Sequence, residues 1–200
     1  MFVNYVAKPY ENTVCTKCYN LIQGVSLPRN VDIWVDGLPV GYEKKFLEEC
    51  VTYCPSCGQI VINASHLQGY NKIAKTEPHL DKKEVLDAVY QQYANKYVQG
   101  IYQEFCGELA QAYQNKNMYL SQFDDETYLN SMTLRNKLEC ADIYRTLGRF
   151  KEASKILKSI NAKKIETDIC KYLYTQERAA IQSENISRII IPVALTRNTM

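Results

Sequence analysis

Two Cys-x-x-Cys pairs, Cys15-Thr16-Lys17-Cys18 and Cys54-Pro55-Ser56-Cys57, constrain this chain more than any other feature of its sequence. A Cys-x-x-Cys turn holds two sulfurs near one point, with backbone amides of the turn directed at them. Two such turns supply the four soft corners of a tetrahedron, the donor set that zinc prefers in a structural site. Cys15, Cys18, Cys54 and Cys57 are therefore the expected ligands of one structural Zn²⁺. Gly58 permits the backbone turn that closes the second knuckle, and Pro55 stiffens its start. Four thiolates around Zn²⁺ leave a formal charge of −2, which amide donors and nearby Lys17 offset. Cys50 offers an alternative ligand in a Cys-x-x-x-Cys-x-x-Cys run. An iron site or a redox dithiol pair is the other chemistry open to these residues.

The two pairs resemble the rubredoxin-like knuckles of zinc-ribbon proteins, in which Cys-Pro-x-Cys-Gly has the form of residues 54–58. The resemblance covers residues 15–18 and 54–64 and implies a small β module. It departs from a minimal ribbon in the long segment between the knuckles, which must fold back for them to meet.

Eight cysteines in 200 residues would also suit an extracellular disulfide framework. However, the opening MFVNYVAKPYEN has no export-signal pattern, and four of the eight form the tight pairs. Reduced thiols in a cytoplasmic setting are expected. Cys106, Cys140 and Cys170 lie in apolar helical patterns and read as buried free thiols. No apolar run approaches the roughly 20 residues of a membrane helix, so no membrane partner is expected.

Breaker residues divide the chain. Six prolines or glycines fall between Pro28 and Gly58, and after Pro78 the next proline is Pro192. The shift places a boundary near 76–81, between a zinc-ribbon-like module at 1–80 and a helical domain at 81–200 with a short tail. The expected fold class is thus α+β. Val31–Val35 reads as a strand followed by an Asp36-Gly37 turn, Tyr42–Cys50 as a strand or short helix, and Gln59–Ala64 as a strand. Beyond the boundary, Leu86, Val89, Tyr90, Tyr93, Tyr97, Ile101, Phe105 and Leu109 recur at helical spacing. An unbroken helix over 82–115 would be about 50 Å long, so a bend is expected at Gly100 or Gly107. Helices are expected at 81–115, 124–147, 150–161 and 163–183. Asp124 or Asp125 is the expected cap of the second, and Gly148 terminates it. The isoleucines of 189–193 need cover, from the body or from a partner.

Within 138–160, Ala141, Tyr144, Gly148, Phe150, Ala153 and Leu157 resemble the helix, turn and helix of a tetratricopeptide repeat. A generic helical hairpin would use the same residues, and a shift of 34 residues finds no second unit. Knuckle pairs followed by Arg145–Ala153 are also similar to a family of uncharacterised bacterial proteins. That resemblance implies zinc with helical-repeat architecture and no particular activity.

Phosphate loops, dinucleotide turns, nucleophile elbows and His-Glu-x-x-His are all missing. Only His66 and His79 are available as imidazoles, and neither has a convincing spacing to the knuckles. The expected function is a zinc-stabilised protein-interaction or scaffolding module, its partner another protein or a second copy. Trp34, Tyr93 and Tyr97 are candidate contact residues. Nucleic-acid binding in a regulatory protein is the alternative, resting on Lys17 and Arg29 or on the basic excess at 145–171, which includes Arg145, Lys155 and Lys158. An enzyme with its site near Cys50 or His66 is the third reading.

Overall fold

A computed structural model of the chain describes residues 12–15, 17–23, 31–35, 38–62, 82–123 and 126–196. The fold is mixed α+β, dominated by helix, with short strands in pairs. Two of the pairs are hairpins around the cysteine turns. In the first, β1 (Thr13–Val14) pairs antiparallel with β2 (Leu21–Ile22). The third strand, β3 (Ile33–Trp34), is the core of the expected Val31–Val35 strand. Tyr42–Cys50 resolves as helix, with α1 at Glu43–Glu49. The second hairpin joins β4 (Val51–Tyr53) to β5 (Ile60–Ile62), opposing Val51 to Ile62 and Tyr53 to Ile60.

The expected long helix is three helices: α2 (Lys82–Tyr93), α3 (Lys96–Cys106) and α4 (Leu109–Leu120). Gly107 breaks it as anticipated, at φ +82°. The other break, at residues 94–95, depends on side-chain hydrogen bonds that apolar periodicity does not report. Asn95 adopts extended backbone and its side chain accepts from the Val98 amide at 2.9 Å. Gln99 Nε2 donates to the carbonyls of Gln91 and Ala94 at 2.7 and 2.9 Å, covering the open end of α2. Gly100 makes no bend. It lies inside α3, where a Cβ would come within 2.9 Å of the Ala112 carbonyl oxygen, so it lets α4 approach.

Next, α5 (Glu126–Ser131) and α6 (Leu134–Thr146) replace one expected helix, because Thr133 caps α6 by accepting from the Asn136 amide. Asp124 and Asp125 lie outside the described residues. Gly148, at φ +74°, ends α6 with amide bonds from Gly148 to Arg145 and from Arg149 to Tyr144. This is a Schellman turn. It leads into α7 (Phe150–Lys158), and fully buried Ala141 and Ala153 lie in this helical hairpin. The last long helix, α8 (Asp168–Gln182), starts later than its pattern suggests, at the Thr167 cap.

The tail is covered from within. β6 (Ile190–Ile191) pairs antiparallel with β3, Ile33 opposite Ile191 and Trp34 opposite Ile190. Ile189 and Ile191 are buried. A final short helix, α9 (Val193–Thr196), follows, and Asp32 accepts the Val193 amide at 2.9 Å.

The main core joins Val35, Leu38, Phe46, Leu47 and Val51 to the apolar faces of the helices. At its centre the Tyr90 ring stacks on Tyr102 at 4.2 Å, and the Tyr90 hydroxyl donates to the Leu47 carbonyl at 2.9 Å. A second, much smaller cluster contains Cys15, Ile22, Cys54 and Val61. The boundary expected near 76–81 lies outside the described residues.

Candidate metal centre

The two cysteine turns are built alike. In the first, the Cys15 amide donates to the Asn20 carbonyl at 3.0 Å and the Tyr19 amide to the Cys15 carbonyl at 2.9 Å. In the second, the Cys54 amide donates to the Gln59 carbonyl at 2.8 Å and the Gly58 amide to the Cys54 carbonyl at 2.9 Å. The offsets are identical. The fourth residue after the leading cysteine must take positive φ in both turns, and Gly58 does so at +68°. Tyr19 does so at +61°, where an L side chain is disfavoured. Gly58 was readable from the sequence, but the equivalence of Tyr19 was not.

The turns face one another. Cys15 Sγ lies 3.6 Å from Cys57 Sγ, and Cys18 Sγ lies 3.5 Å from Cys54 Sγ. All four sulfurs are within 4.8 Å of each other. A tetrahedron with metal–sulfur bonds of about 2.3 Å has corners roughly 3.8 Å apart. The cluster has nearly that size, and all four cysteines are free thiols rather than disulfides. The leading cysteine of each pair is buried and the trailing one half-exposed. Asn20 Nδ2 donates to Ser56 Oγ, tying one knuckle to the other.

The amides also prepare the sulfurs for negative charge. The Cys18 amide, then that of Lys17, draws the Cys15 thiol below its usual range against the opposing effect of burial. Burial raises Cys54, but the amides of Ser56 and Cys57 and bonds with the neighbouring sulfurs outweigh it and bring the thiol to about 6. The Asn20 amide favours the Cys18 thiolate too. Burial and hydrogen bonds to the other three sulfurs nevertheless push that thiol up to about 12. With no cation between them, four sulfurs this close do not all ionise. A bound cation removes that conflict, and the donor set can hold a metal ion.

Cys50 is outside this cluster. It is fully buried in the main core beside Tyr90, where burial pushes its thiol up to about 12. A cleft of about 420 Å³ between α1, α2 and α3 is lined by Lys44, Leu47, Lys83, Tyr102, Phe105 and Cys106, with Cys50 not among its walls. Cys106 is exposed there, which corrects the expectation of burial, whereas Cys140 and Cys170 are buried as expected. His66 and His79 lie outside the described residues.

The other candidates are dispersed. Trp34 is half-buried, with its indole N–H donating to Glu43 and the Arg188 guanidinium 4.7 Å above its ring. Tyr97 is buried, its ring 5.5 Å from that of Tyr119, and Tyr93 lies in α2. Lys155 and Lys158 are exposed on α7.

Arg145 does not belong to the basic surface. It is fully buried and all its donors are engaged. Nε reaches Glu177 Oε2 at 2.8 Å, and one terminal nitrogen bonds Asp142 and Glu177. The other donates to the carbonyls of Asn185 and Ser187, each at 2.7 Å. The spacing of Asp142 and Arg145 was visible in the sequence, but their convergence with Glu177 and the 185–187 turn was not. No protein-family model, curated protein or solved structure matches this chain.

Proposed function

We propose that Cys15, Cys18, Cys54 and Cys57 hold one structural zinc ion in a zinc-ribbon-like module, and that the chain is a zinc-stabilised protein-interaction or scaffolding protein. The observation that carries this reading is the convergence of four sulfurs from two equivalent turns. Four protein ligands leave no corner for a reactive water, which favours a structural ion over a catalytic one. Size favours it too. The small core offers two aliphatic side chains, Ile22 and Val61, worth about 1.5–3 kcal/mol apiece when fully buried. Ordering each backbone residue of two hairpins costs about 1–2 kcal/mol, so another source of stability is needed.

The surface suited to contact is on the first hairpin. Val14 and Leu21 oppose one another across the strands and are 49% and 60% exposed, and Tyr19 beside them is 80% exposed. An apolar cross-strand pair held in water is a natural contact for another protein. The helical hairpin α6–α7 supports the tetratricopeptide-like reading through its two fully buried alanines.

Metal analysis of protein purified without added metal tests the proposal. One zinc per chain is expected, with its loss in Cys54→Ser. Metal-free protein with four reactive thiols, or with disulfides at these positions, would overturn it.

A further inference from the structure

We propose that the cleft between α1, α2 and α3 is a binding site for a small aromatic carboxylate. The inference does not depend on the metal reading, because the cleft is walled by the main core and not by the cysteine turns. Its volume of about 420 Å³ lies within the roughly 300–1,000 Å³ of small-molecule pockets. The cleft beside α8 and β6, of about 350 Å³, offers an anion less, because its Arg188 guanidinium lies 4.7 Å over the Trp34 ring.

The floor of the cleft is apolar and already in place. Leu47 from α1, Leu86 from α2, and Tyr102 and Phe105 from α3 form it. The first three are buried and Phe105 is half-buried. The Tyr102 ring is fixed by its stack on Tyr90 at 4.2 Å, and its hydroxyl donates to Asp87 at 2.8 Å. An occupant therefore meets a preformed surface, and little freedom is lost in ordering it. Two rings among four floor residues favour a flat aromatic body, which packs on them by offset or edge contacts.

The rim sets the charge of the ligand. Lys44 and Lys83 bring two ammonium groups to it and Glu48 one carboxylate. Lys44 and Glu48 face one another on α1 at 3.8 Å, both exposed, and pairs of that kind hold weakly in water. Lys83, on α2, is exposed, and among the described residues no carboxylate pairs with it. The acid one turn along α2, Asp87, accepts the Tyr102 hydroxyl instead. The local excess is thus one positive charge beside an apolar floor, the complement of a single carboxylate on a flat apolar body. A nucleotide brings several negative charges and a polar sugar, which Glu48 and the apolar floor disfavour. An amine meets two ammonium groups and a carboxylate that is already engaged.

The test titrates the full chain, as purified, with 1-naphthaleneacetate and separately with 1-naphthaleneacetamide, which keeps the ring and removes the charge. Calorimetry reads the affinity, and two-dimensional amide NMR reads the place. Saturable binding of the carboxylate is expected, with a Kd of about 1 mM or tighter. The amide should bind about tenfold more weakly, since it cannot form charge-assisted bonds with the lysines. Shifted amides should gather at Leu47, Leu86 and Phe105. Lys44→Gln combined with Lys83→Gln should bring the carboxylate down to the affinity of the amide, with the affinity for the amide and the melting temperature unchanged. Cys106→Phe, which fills the cleft from an exposed wall position, should weaken both probes. No saturable binding, equal affinity for the two probes, shifts gathered instead at the Val14 and Leu21 hairpin, or a double variant that still prefers the carboxylate would each overturn the proposal.

Discussion

Tyr19 and Gly58 perform one backbone task with very different residues. A non-glycine side chain at positive φ costs about 1–2 kcal/mol. Tyr19→Gly should therefore tighten zinc in competition with a chelator, and Gly58→Ala should loosen it, by severalfold in each case. A second residue-scale prediction concerns the buried trio. Burial and the neighbouring Asp142 carboxylate raise the Glu177 acid to about 9, although Arg145 pulls the other way. The folded chain thus keeps a proton that the unfolded chain releases near 4.5. Between those values the native state binds more protons, so stability falls as pH rises from about 4.5 to 9. Denaturant titrations across this range should show the decline, and Glu177→Gln should flatten it. Arg145→Met should cost about 3–5 kcal/mol, since it removes the guanidinium from the buried Asp142 carboxylate and leaves the Glu177 oxygens without their donors. The cysteine pairs were legible because each is written within four residues. Arg145 was misread as surface charge because Glu177 lies 32 positions away.

Helix ends account for most of what the periodicity missed. Leu86, Val89 and Ile101 keep their apolar spacing through α2 and α3, yet Asn95, Thr133 and Thr167 each interrupt or start a helix by a side-chain cap. Polar residues of this kind are common on helices, so their capping role depends on the backbone around them. Gly148 was legible, because glycine after a helical stripe has a single obvious use. Its counterpart after α8 is Glu184, at φ +51°, with amide bonds from Glu184 to Ile181 and from Asn185 to Ala180. Glu184→Gly should raise stability by about 0.5–1 kcal/mol in thermal or denaturant melts. Gly100→Ala should do the reverse and cost about 1–3 kcal/mol, because α4 would have to move away from the added methyl.

At the scale of the molecule, two cores of unequal size predict unequal responses to metal removal. Chelation should release the hydrogen-exchange protection of 12–23 and 54–62 first, while far-ultraviolet circular dichroism retains the helical signal. Simultaneous collapse of both would show that the small core is not separately held. The α+β class was legible from the change in breaker density. The packing of Val35, Leu38, Phe46, Leu47 and Val51 into the helical core was not, because it depends on pairings that cross most of the sequence. Trp34 meets Ile190, and Asp32 meets Val193. These closures act as a latch between stretches 161 positions apart. Cutting the backbone between α8 and Ile189 would leave the latch held only by the β3–β6 pairing and its neighbours, so such a nick should free the Trp34 edge while the helical hairpin stays shut.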